Sequence, residues 1–102
     1  MHLVQILLPL ADNDGNAFPQ DLYDAVAHEL TERFGGVTAY TRSPAKGRWR
    51  QEGFDTHLDE VIIVEAMVGK LDDVWWSTYR ASLEAAFRQK QIVVRAQPIR
   101  VL

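Results

Sequence analysis

Hydrophobic residues follow two rhythms along this chain. Residues 2–10, HLVQILLPL, form a short run rich in Leu, Val and Ile, too brief for a stable helix, which predicts a buried strand. ADNDGNAF follows and reads as a loop, because Asp, Asn and Gly together favour turns. From Pro19 onward, Leu22, Val26, Leu30 and Phe34 recur every four residues with charged residues between them. That spacing predicts an amphipathic helix that starts at Pro19 and stops at Gly35-Gly36. Residues 37–42, VTAYTR, are β-branched or aromatic at four of six positions and predict a second strand. Residues 60–68, EVIIVEAMV, give the clearest strand, closed by Gly69. Asp72 or Asp73 then caps a second helix to about Gln89, with Trp76, Tyr79, Leu83, Ala86 and Phe87 as its apolar stripe. QIVVRAQPIRVL predicts a fourth strand, in which Pro98 confines the later part to an edge or irregular end.

The order β-α-β-β-α-β, with no linker or low-complexity stretch, predicts one α+β domain over residues 1–102. It matches the split βαβ, or ferredoxin-like, arrangement: a four-stranded antiparallel sheet in the order 4-1-3-2, with both helices on one face. Side chains alternate across a strand, so each strand divides into two sets. One set is apolar throughout, as in Val4, Ile6 and Leu8, and belongs under the helices. The other is mixed and belongs to the open face, which then carries Leu3, Leu7, Val61, Ile63, Met67 and Val93. So much contiguous apolar surface calls for a cover, and a homodimer pairing this face with its copy is the simplest closed solution.

Polar residues inside that face are the candidate chemistry. Arg95, Gln5, Glu65 and then Tyr40 or Arg42 fall on successive strands of the 4-1-3-2 order. An enclosed carboxylate needs a partner, which Arg95 or Arg42 can supply, and an ion pair fixing the dimer register is one reading of the row. The other is a site in which Glu65 acts as a general base and Arg95 holds an anionic substrate group. Gln5, Tyr40 and Arg42 would then line a binding site for a small, partly apolar organic molecule, with His57 at its rim.

Composition removes options rather than adding them. The 102 residues contain no cysteine, which excludes disulfides and thiolate chemistry. At 47% hydrophobic the chain is too apolar for disorder, yet no run approaches the ~20 residues of a membrane span. No secretory leader pattern is present, so a cytoplasmic address and no membrane partner are expected. Fourteen acids against eleven bases give a net charge of -3, which argues against nucleic acid as a partner. Arg42, Lys46, Arg48 and Arg50 do form a basic arm around Tyr40 and Trp49, but Glu52, Asp55, Asp59 and Glu60 follow at once. Such arms neutralise each other across a hairpin.

Histidines 2, 28 and 57 share no metal-ligand spacing, and His28 is expected on the surface. Asp12-Asn13-Asp14-Gly15 lacks the further ligands of a calcium loop and reads as a turn. No glycine-rich phosphate loop occurs, so no metal and no cofactor are expected. Trp75 and Trp76 cannot both face the core, since helical neighbours lie about 100° apart. Trp75 must turn toward a partner, the C-terminal tail or a pocket at the helix start.

The segments ILLPL, GGVTAY, G-R-W at 47–49, DEVIIVEAMV and RQKQIVVRAQ together resemble the dimeric α/β-barrel group of ferredoxin-like folds. GGVTAY, GRW and EVIIVE are also similar to small bacterial domains of unknown function with this layout. The barrel group includes cofactor-free oxygenases, haem-related enzymes, lactone isomerases and ligand-sensing domains. The resemblance implies a fold, a dimer and a cavity, and no particular activity.

Overall fold

A computed structural model describes residues 1–42 and 61–102. The elements run β1 (His2–Pro9), α1 (Gln20–Phe34), β2 (Thr38–Arg42), β3 (Val61–Val68), α2 (Asp73–Ala86) and β4 (Val93–Pro98). The strands pair antiparallel in the order β2-β3-β1-β4, which is the expected 4-1-3-2, so the fold is an α+β ferredoxin-like arrangement. Pro98 ends β4 at the sheet edge, where its missing N–H breaks no ladder.

Local chemistry sets the helix boundaries. Pro19 caps α1 in an extended conformation, and Gly35 closes it at φ 87°, donating its N–H to the Thr31 carbonyl. A left-handed residue there favours glycine because any Cβ would be strained. Asp72 caps α2 by accepting the Trp75 N–H at 3.0 Å. The second helix stops at Ala86, earlier than the Gln89 its sequence suggests, because the chain turns at Arg88 with φ 51°. Glu84 then accepts the Ile92 N–H at 2.9 Å and ties the turn to the start of β4.

The core lies between the helices and the apolar set of the sheet. Val4, Ile6 and Leu8 of β1 are buried while Leu3, Gln5 and Leu7 are half-buried, the alternation that parity requires. Phe87, wholly buried, packs on Phe18 and Tyr23 with ring centroids 5.1 and 5.4 Å away. Each such aliphatic or aromatic side chain removed from water contributes roughly 1.5–3 kcal/mol. Among the described residues no helix is long and apolar enough to cross a membrane.

Trp75 and Trp76 both belong to the contact between the helices. Trp76 is buried and stacks on Phe34 at 5.3 Å, while Trp75 meets Phe34 edge-on and stacks on Tyr79 at 5.0 Å. The Arg33 guanidinium lies 4.2 Å above the Trp75 ring, so the end of α1 covers that face. Trp75 therefore turns toward the end of α1, and its segment borders an open pocket at the start of α2.

Burial, reinforced by the Glu29 carboxylate on α1, pushes the Tyr79 phenol up to about 12 from its ordinary 10.0. Well below pH 10 the phenol is protonated whether the chain is folded or not. Above it, the unfolded chain ionises first and unfolding releases a proton, so stability falls as pH rises from 10 toward about 12. Urea unfolding across this window is expected to show that fall, and Tyr79→Phe to lessen it, leaving the part that the half-buried Tyr23 phenol contributes. An equal fall in the variant would assign it to other groups.

Candidate functional site

Register decides which side chains of the open face meet. Gln5 lies opposite Glu65 of β3 on one side and opposite Arg95 of β4 on the other. Thr38 of β2 faces Glu65 directly, and Tyr40, two residues along, reaches it diagonally. A continuous polar row results. Arg95 Nε donates to Gln5 Oε1 at 2.8 Å, Gln5 Nε2 donates to Glu65 Oε2 at 2.6 Å, and the Tyr40 hydroxyl donates to the same oxygen at 3.4 Å.

Two opposite charges orient the Gln5 amide, its carbonyl toward the guanidinium and its NH2 toward the carboxylate. The row the sequence predicts is thus assembled, but with an amide standing where a direct ion pair between Glu65 and Arg95 was one expectation. Gln5 belongs to the strand between theirs, so the two charged groups come from non-adjacent strands, whose backbones lie about 10 Å apart. Glu65 and Gln5 are half-buried, whereas Arg95 and Tyr40 are exposed.

The surrounding face is less open than its sequence implies. Ile63 is 1% exposed, flanked in register by Leu7 and Tyr40, and it lies outside the cluster under the helices. Leu3, Leu7 and Val61 are half-buried. Met67 and Val93 remain 55% and 44% exposed, at opposite ends of the face.

A groove of about 590 Å³ opens beside Glu65. Leu3, Met67 and Thr38 of the open face form one wall, and Phe34 to Val37, where α1 turns into β2, form the other. The sequence marks Gly35-Gly36 as a helix stop and hides this second role, because proximity to Glu65 arises from the sheet order. A Cβ at Gly36 would meet nothing within 4 Å, so the groove is open there. A different cavity, about 270 Å³, lies on the helix side of the sheet, between Trp76, Ser77 and Arg80 of α2 and Val4, Val94 and Ala96; Arg95 borders it from β4 while its side chain bonds Gln5 on the opposite face.

The remaining candidates are not among the described residues that line this groove. Arg42 ends β2 opposite Val61, and its side chain lies outside the described residues. His57 and the arms at 43–60 also lie outside them. His28 is exposed on α1. Asp12 forms a turn: its Oδ1 accepts the N–H groups of Asp14 and Asn16, each at 2.9 Å, and Gly15 closes it at φ 83°. The Asn16 N–H foremost, with the Asp14 N–H and the Arg88 guanidinium, holds the Asp12 carboxyl below its ordinary range.

The sequence matches no family model and no curated protein. Its fold is similar to that of a phage SAM lyase solved in complex with S-methyl-5'-thioadenosine. The two share 16% sequence identity at a TM-score of 0.51, over 94% of this chain and 79% of the lyase chain. At that identity the likeness concerns the fold.

The hydrogen bond between Gln5 and Glu65 predicts a measurable coupling. A double-mutant cycle with Gln5→Ala and Glu65→Ala is expected to give about 1 kcal/mol in urea unfolding, since the pair is half-buried and one partner is charged. Additive single effects would show that the contact contributes nothing.

Proposed function

We propose that the groove beside Glu65 binds a small, partly apolar organic molecule. The observation that carries this reading is a carboxylate, hydrogen-bonded by Gln5 and Tyr40, lining a 590 Å³ groove whose other walls are mainly apolar. A few placed polar groups in an apolar concavity are what small-molecule sites present. In this reading Glu65 and Thr38 supply the polar contacts, Gln5 and Tyr40 hold the Glu65 carboxylate, and Arg42 and His57 are further contacts. The lyase of similar fold was solved with a thioadenosine, which makes a nucleoside thioether the natural first probe. Binding is favoured over catalysis with Glu65 as base and Arg95 as anion holder, because Arg95 is not among the residues lining the groove beside Glu65.

Titration with S-methyl-5'-thioadenosine, followed by calorimetry and amide NMR, is the direct test. Saturable binding that shifts Leu3, Thr38 and Met67 signals and weakens at least about tenfold in Glu65→Ala is expected. Shifts confined to other surfaces would refute the site.

The exposed Met67 and Val93 favour a second reading of the same face, as the contact of a homodimer that roofs the groove. Sedimentation velocity is expected to show a dimer at micromolar concentration, and Met67→Glu to dissociate it. A wild-type monomer would remove the partner and leave the groove to one chain.

A further inference from the structure

We infer that the groove beside Glu65 selects an organic cation with an apolar body, and that Gln5 is the residue setting this preference. The inference rests on the binding reading above and adds the sign of the ligand's charge. Among the described residues lining the groove, Glu65 is the charged one. Leu3, Phe34, Val37 and Met67 are apolar, Thr38 offers a hydroxyl, and Gly35-Gly36 contribute backbone. A cation placed there meets a carboxylate and a polarisable thioether, both favourable to positive charge. An anion meets the carboxylate in a setting with no guanidinium among these lining residues.

Gln5 maintains the imbalance. Arg95 is the cation nearest in the row, yet its Nε reaches the Gln5 carbonyl at 2.8 Å and goes no further. Occupying the central strand, the amide takes the place a direct salt bridge would need. A direct bridge would neutralise Glu65 and leave a groove suited to neutral molecules. An amide instead hydrogen-bonds the carboxylate without cancelling its charge. Shortening Gln5 opens that space, and an arginine side chain is long enough to extend across one strand toward the carboxylate.

A matched pair of probes isolates the charge: a phenylalkyl trimethylammonium and its neutral tert-butyl isostere, equal in shape. Amide NMR titration of the intact chain is expected to give about tenfold tighter binding of the ammonium at the Leu3, Thr38 and Met67 signals. In Gln5→Ala the preference should shrink several-fold, and adding Arg95→Gln to that variant should restore it. A purely structural role for Gln5 would not produce such a restoration. Equal binding of the two probes would overturn the inference while leaving the groove a binding site. An unchanged preference in Gln5→Ala would overturn the role of Gln5. If neither probe perturbs the groove, nor does the thioadenosine, the binding reading fails and takes this inference with it.

Discussion

The paired hydrogen-bond ladders along β1 are the constraint on which the rest depends. β1 joins β3 on one side and β4 on the other, so its register sets every neighbour across the sheet. One residue of slippage would carry Val4, Ile6 and Leu8 out of the core and send Gln5 beneath the helices. The burial of those three aliphatic side chains therefore holds the polar row in place from the opposite face. Core and site are two sides of one strand.

A glutamine at the centre of this row changes its electrostatics. An acid and a base on adjacent strands would form an ion pair, which suits a permanent interface. Separated by an amide, the two make no direct pair: Glu65 lines the groove at the α1–β2 turn, while the strand that carries Arg95 borders the gap under α2 with its other face. Both cavities lie toward the end of the sheet where β1 begins and β3 finishes. The aromatic packing of Phe34 with Trp75 and Trp76 braces that end, since Phe34 also walls the groove. Rigid packing behind one wall and a hydrogen-bonded carboxylate at the other give the groove a defined shape.

Much of this was legible along the chain. Fourfold spacing at Leu22, Val26, Leu30 and Phe34 marks a helix whatever it packs against, and Gly35 marks its end because a left-handed residue is needed there. Strand parity put Gln5, Glu65, Arg95 and Tyr40 on one face, since alternation is a property of the extended backbone alone. Trp75 was less legible: geometry excluded it from the buried stripe, but its place under Arg33 depends on how α1 and α2 meet. The same applies to Ile63, whose parity assigns it to the open face while its burial comes from what lies around it.

Element order, sheet order, the two faces and the membership of the polar row follow from periodicity and turn chemistry, which act over a few residues and so are written in the sequence itself. Which atom of Gln5 faces which charge, the separation of Glu65 from Arg95, and the groove that Gly35, Gly36 and Phe34 make beside Glu65 follow from register and helix packing. Those depend on residues distant in the chain meeting in space, as Gln5 and Arg95 do from 90 positions apart, and tertiary structure alone decides them.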